Sequence, residues 1–198
     1  FDARHLSPDT SQAGPLEIID ELHRDTQIDG ILLQRPLPDH IDPLAVMDAL
    51  DPNKDVDCFD LYNVVYLVLL HPGLRPRRPM CVIHVLQHTG VSLVGKDATV
   101  IGVSNHVGRP MALELLLAGC SVAATHKFTS NTRDHVAYAD IVVSAVGIPG
   151  LIKGEWIKPG AIVIDVGITR DENGKLHGDV EFEAARERAA WITPVPGG

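Results

Sequence analysis

Residues 98–119 read ATVIGVSNHVGRPMALELLLAG. Four mostly apolar residues run into Gly102, and a polar turn follows. A second apolar run then opens at Pro110 and closes at Gly119. The first run has the length and composition of a buried strand, expected over 98–103. Pro110 suits the first turn of a helix, where its missing N–H costs nothing, so a helix is expected over 110–118. Strand, glycine turn and helix in this order form the opening half of a βαβ unit.

The pattern continues downstream. Apolar strands are expected over 121–125, 141–146 and 161–166, with helical or turn segments between them. Strands that are apolar on both faces belong to parallel sheets covered by helices on each side. The fold class is therefore α/β, and this half is a Rossmann-like doubly wound parallel sheet. Upstream, residues 15–24 are expected as a helix, 30–34 as a short buried strand ending at Gln34, and 41–50 as a helix. This second α/β pattern lacks its opening elements. Between the two halves, LLHPGLRPRRP (69–79) crowds prolines and arginines together and marks a boundary. The expected domains are 1–74 and 75–198.

Composition narrows the function. The chain has 198 residues, 45% of them hydrophobic and 22% charged, which fits a packed core rather than disorder. A net charge of −9 provides no basic face for nucleic acid, so none is expected as a partner. No apolar run approaches the ~20 residues that span a bilayer, so no membrane partner is expected. Three scattered cysteines fit a reducing compartment, with the cytoplasm as the expected location.

The turn after Gly102 is a variant of the glycine-rich dinucleotide fingerprint. Ser104 stands where a second glycine is usual, and Gly108 comes one residue late. Backbone N–H groups at the start of the following helix favour a pyrophosphate, and Arg109 adds a cation. Gly102, Val103, Ser104 and Arg109 are thus candidate cofactor-binding residues. The second strand ends in Thr125-His126-Lys127, without the carboxylate that an NAD ribose hydroxyl would require. Lys127 can meet a 2′-phosphate instead, so NADP is the expected cofactor.

Five ordered motifs, DGILLQRPLP (29–38), PNKDVDCF (52–59), GVSNHVGRPM (102–111), DVGITR (165–170) and TPVPGG (193–198), resemble the bifunctional methylenetetrahydrofolate dehydrogenase/methenyltetrahydrofolate cyclohydrolase family. The resemblance implies a folate-cleft domain followed by an NADP domain, and a homodimer. It implies oxidation of 5,10-methylenetetrahydrofolate with NADP, then hydrolysis to 10-formyltetrahydrofolate. By motif position, Gln34 and Asp57 are the implied catalytic residues. Gln34 would be the polar partner of a catalytic lysine, and Asp57 the acceptor for the pterin donor edge. Pro196 and Gly197 join them on the substrate side, Ile168 joins the cofactor side, and a tetrahydrofolate derivative is the implied partner. Gln34 and Asp57 are expected to face the nucleotide turn across a cleft.

The sequence also departs from that family. The family lysine, in a Tyr-x-x-x-Lys motif, has no match in residues 1–198. With Phe1 in place of Met, truncation at both ends is expected, and little cyclohydrolase activity from these residues alone. The family segment PCTPxG appears as Pro76-Arg77-Arg78-Pro79-Met80-Cys81, Cys58 replaces the glycine of DVDGF, and Val65 replaces another. These changes leave open a non-catalytic or narrowed NADP-binding relative. A shikimate-dehydrogenase-like enzyme would fit the cofactor turn but not KDVD or PVPGG. His84 and His88 have metal-ligand spacing but lack a companion, so no metal is expected. Lys54 and Asp55 read as turn residues, Trp156 and Trp191 as core aromatics, residues 169–179 as a hairpin, and 181–188 as a solvated helix.

Overall fold

The computed structural model describes residues 2–197 apart from Arg35, Phe59, Leu70 and Pro72. Phe59 of PNKDVDCF, Arg35 of DGILLQRPLP and Gly198 of TPVPGG lie outside the described residues. The chain divides into two compact units, 1–77 and 78–198.

Helix α4 (Arg77–His88) starts on Arg77, the last residue of the first unit, and its remaining residues precede strand β1 (Asp97–Ile101) in the second. Helix α5 (Gly108–Leu117), β2 (Ser121–Thr125), α6 (Thr132–Tyr138) and β3 (Ile141–Ser144) follow. A 3₁₀ turn (Gly154–Trp156) leads to β4 (Ile162–Asp165), the small β5 (Thr169–Arg170) and β6 (Leu176–His177), then α7 (Phe182–Arg186) and β7 (Trp191–Ile192). Five strands form a parallel sheet ordered β2-β1-β3-β4-β7. Successive side chains of a strand face opposite ways, and the core follows that rule. Ile141, Val143, Ile162 and Ile164 pack with Leu86 of α4 and Met111 and Leu115 of α5. Val142 and Val163 pack with Val136 of α6 and Ala185 of α7. Both faces are covered, which explains why the sequence shows continuous rather than alternating apolar strands.

The order places β1 between β2 and β3, so the chain reverses its winding direction beside β1. Open α/β sheets bind ligands at that reversal, beyond the carboxyl ends of the strands. Here those ends are aligned: Ile101 is in register with Thr125 and Ser144, and Ser144 with Asp165. The loops that follow all leave from one edge.

In the first unit, α1 (Ala13–Arg24) and α2 (Pro43–Asp48) contribute to a core of Ile19, Ile31, Ile41, Val46 and Leu50, and α3 (Leu61–Val68) follows. Asp42 caps α2 by accepting from Leu44 N at 2.9 Å, with Pro43 opening the helix. Lys54 closes α1: its Nζ donates to the carbonyls of Leu22, His23 and Asp25 at 3.1, 3.0 and 2.9 Å. These are acceptors that a helix end leaves without partners.

Two expectations need correction. Residues 30–34 form no extended strand among the described residues. Ile31 makes a single parallel bridge to Asp55, because ladder bonding is offered there only by the Lys54 carbonyl and the Val56 N–H. Trp191 is not a core aromatic: it is 52% exposed, on edge strand β7. The hairpin did form, with β5 and β6 antiparallel around Asn173-Gly174.

Candidate functional site

The residues nominated for the cofactor lie along the aligned edge. Gly102 leaves β1 at φ +93°, a conformation that glycine adopts without strain, and its N–H donates to the Thr125 carbonyl at 2.9 Å. A Cβ added at Gly108 would run into the Gly102 carbonyl. The two glycines therefore let the turn fold back on itself and bring the start of α5 against the end of β1. Ser104 Oγ accepts from Val107 N at 3.3 Å and Gly108 N at 3.4 Å. A hydroxyl that accepts from two backbone donors keeps its own hydrogen to donate outward. Arg109 is exposed, and its guanidinium donates to Asn105 Oδ1 at 2.7 Å, which orients the cation beside the turn. These are the features of a phosphate cradle, so the residues present fit a dinucleotide.

Lys127 follows β2 by two residues, and β2 is the strand whose end holds Gly102. It is exposed, with its ammonium 5.0 Å from the centre of the Phe128 ring. Ile168 lies beyond β4 at the same edge and is 64% exposed. Pro196 and Gly197 follow β7, which is parallel to β4, and both are exposed. Thr193 joins that segment to β4: its Oγ1 accepts from Asp165 N at 2.9 Å, and its N–H donates to the Val163 carbonyl at 3.1 Å.

Sequence reasoning did not pair the two buried carboxylates that stand behind this edge. Asp179, fully buried, accepts from Ser144 Oγ at 2.9 Å, Val146 N at 2.7 Å and Ile148 N at 2.9 Å. Asp165 accepts from Gly167 N at 3.0 Å and Val180 N at 2.8 Å. Each carboxylate lies against a glycine from the other's segment: a Cβ at Gly167 would strike Asp179, and one at Gly178 would strike Asp165. Burial lifts the Asp165 carboxyl above its ordinary range, and the Asp179 charge adds to that, while backbone N–H groups oppose it. Together the two aspartates fix the loops after β3 and β4. The signal was present in DVG (165–167) and GDV (178–180), where glycine and aspartate recur in mirrored order.

In the first unit, Gln34 and Asp57 follow the parallel Ile31–Asp55 bridge by three and two residues. They leave it in the same direction. Gln34 is exposed and Asp57 half-buried. Around Asp57 the acids divide their work. Asp55 accepts from Asp57 N at 3.1 Å and Asp60 N at 2.8 Å. Asp60 caps α3 through Tyr62 N and Asn63 N at 2.7 and 3.1 Å, and also accepts from Asn63 Nδ2. The Asp57 carboxylate has an ion-pair partner instead, Arg77, with Nη2 at 3.4 Å from Oδ1.

Cys58 adopts φ +57°, as the glycine it replaces in the family motif could do without strain. Its side chain is buried and donates to the Asp55 carbonyl at 3.5 Å, so the thiol points into the unit. Burial pushes the thiol up to about 12, helped by the charges of Asp55, Asp60 and Asp57. Cys120 is also raised by burial, whereas Cys81 is exposed. An aromatic disulfide reagent at mild alkaline pH is therefore expected to titrate Cys81 rapidly in the folded protein, and Cys58 and Cys120 only on unfolding. Rapid reaction of Cys58 would contradict its placement. His84 and His88 are exposed on α4, and the described residues hold no group of three or more side chains suited to a metal ion.

Known proteins match along both units. The profile of the tetrahydrofolate dehydrogenase/cyclohydrolase NAD(P)-binding domain covers residues 76–198, and that of the catalytic domain residues 1–57. A bifunctional protein FolD from Methylobacillus flagellatus is 57% identical over 196 residues, spanning 99% of this chain and 68% of the relative. The crystal structure of the bifunctional methylenetetrahydrofolate dehydrogenase/cyclohydrolase FolD from Campylobacter jejuni superposes with a TM-score of 0.96 at 42% identity, covering 98% of this chain and 69% of that one. The Trypanosoma brucei enzyme, solved with NADP cofactor and an inhibitor, gives 0.92 at 39% identity, covering 98% and 68%.

Proposed function

The chain belongs to the tetrahydrofolate dehydrogenase/cyclohydrolase family, and from that premise we propose that it oxidises 5,10-methylenetetrahydrofolate with NADP and hydrolyses the product to 10-formyltetrahydrofolate. The supporting observation is the glycine cradle at the start of α5, set beside the winding reversal of a sheet whose strand ends are aligned.

NADP, when bound, supplies the hydride acceptor. The chain's own groups bind and orient the reactants. Gly102, Val103 and Ser104 hold the pyrophosphate with backbone N–H groups and the free hydroxyl hydrogen, and Arg109 balances its charge. Lys127 meets the 2′-phosphate. Ile168 offers an apolar surface to the nicotinamide, and Pro196 and Gly197 border the substrate. In the first unit, Asp57 accepts from the pterin amino and ring N–H groups. Gln34 would orient the proton-moving lysine of the family's Tyr-x-x-x-Lys motif, which has no match in residues 1–198; proton transfer by such a group is typically worth about 10²–10⁴-fold. Water attacks the methenyl carbon, one proton leaves, and the ring opens to the formyl product. A homodimer in the cytoplasm is the proposed setting; three free cysteines suit a reducing compartment.

The test is formation of reduced cofactor from NADP and 5,10-methylenetetrahydrofolate, and loss of the methenyl absorbance when 5,10-methenyltetrahydrofolate is supplied. Failure of both in folded protein would overturn the reading. Lys127→Ala is expected to weaken NADP about ten-fold, as loss of one charge-assisted hydrogen bond does, with NAD affinity unchanged. Equal losses for both cofactors would remove Lys127 from the 2′-phosphate.

A further inference from the structure

Three acids lie within six residues of the first unit, and two are committed to the chain itself. Asp55 ties the turn and Asp60 caps α3. Asp57 differs. Its side chain is 22% exposed, and it is paired with Arg77, whose side chain is 57% exposed. The backbone before Arg77 is held by the buried ring of Pro76. The contact is a loose one, with Nη2 3.4 Å from Oδ1. Asp57 Oδ2 and further guanidinium N–H groups remain for a ligand, since Arg carries five donors in a fixed plane.

Side by side, the pair presents acceptor, acceptor, donor. The edge of a 4-oxopterin presents the complement: the 2-amino group and the N3–H donate, and the 4-oxo group accepts. A carboxylate alone reads the first two. We propose that Arg77 is a substrate-specificity residue, and that its guanidinium, held beside Asp57, donates to the 4-oxo group of the folate pterin. This rests on the reading of Asp57 as the pterin acceptor. The selectivity follows from chemistry. A 4-aminopterin turns an amino group toward the guanidinium where the 4-oxo acceptor stood, and a donor facing a donor is penalised.

The experiment is calorimetric titration of the full chain with folic acid and with aminopterin, its 4-amino counterpart. Folic acid is expected to bind more tightly. Arg77→Gln is expected to weaken folic acid about ten-fold, as loss of one charge-assisted hydrogen bond does, and to reduce the preference over aminopterin by a similar factor. Arg77→Lys, which keeps the positive charge that Gln lacks, is expected to restore part of both. An unchanged preference, or tighter folic acid binding in Arg77→Gln, would overturn the proposal, the latter because Arg77 would then merely compete for Asp57. Asp57→Asn separates the two readings. If it leaves folic acid affinity unchanged, the Asp57 reading fails, and the Arg77 proposal with it. If it weakens folic acid while Arg77→Gln changes nothing, only the proposal fails. NADP affinity and the melting temperature of each variant serve as folding controls.

Discussion

Replacing Asp179 with Ala is expected to cost about 4 kcal/mol of unfolding free energy, the largest effect of any single change considered. The carboxylate is fully buried and accepts three hydrogen bonds, from one hydroxyl and two backbone N–H groups. Bonds to a charged acceptor contribute about 1.5–3 kcal/mol each, and water reaching the half-exposed loop recovers part of the loss. Asp179→Asn should be milder, because the amide oxygen still accepts while its NH₂ faces donors. In melting experiments the Ala variant is expected to fall by roughly 10–20 °C. Gly167 supplies an internal check. A methyl group there would strike the Asp179 carboxylate, so Gly167→Ala should destabilise the native protein and do far less in the Asp179→Ala background. Additive losses, or a cost below about 1 kcal/mol for Asp179→Ala, would mean the carboxylate does not tie these loops together.

The second large effect falls on cofactor binding. Gly108→Val puts a branched side chain where even a Cβ meets the Gly102 carbonyl, so the first turn of α5 must move away from the end of β1. Overpacking of this kind costs about 1–3 kcal/mol, and the displaced N–H groups no longer converge on a phosphate. A loss of NADP affinity of about 100-fold is expected, with folate affinity in the first unit unchanged. Wild-type NADP binding in this variant would place the phosphate cradle elsewhere.

How much of this was legible in the sequence depended on where the determining interactions lie. The strands of the second unit were readable because their partners are other strands of the same kind. Runs such as Ile141–Ser144 and Ile162–Asp165 are apolar on both faces and bounded by polar or glycine residues. The glycine turn was readable because its constraint is local. The segment 30–34 looked equally apolar, yet a strand exists only where a ladder is offered, and Ile31 finds one bridge. Helix α3 passed unnoticed because Tyr62, Val65, Tyr66 and Val68 are exposed and blur its apolar stripe. The packing of Asp165 against the Asp179 segment was hidden for a different reason: the hydrogen bonds involved join segments as many as 35 residues apart. The role of Arg77 was invisible as well. The sequence marks it as a departure from a family motif, and only the structure sets it beside Asp57.

The central claim is that this chain passes a hydride from a folate carbon to NADP. It is tested most directly with 5,10-methylenetetrahydrofolate carrying two deuterium atoms on its bridging carbon. The account predicts that one deuterium appears on the nicotinamide ring of the reduced cofactor, and that the other remains on the one-carbon unit of the oxidised folate. Reduced cofactor without deuterium, or deuterium released to water during oxidation, would contradict it.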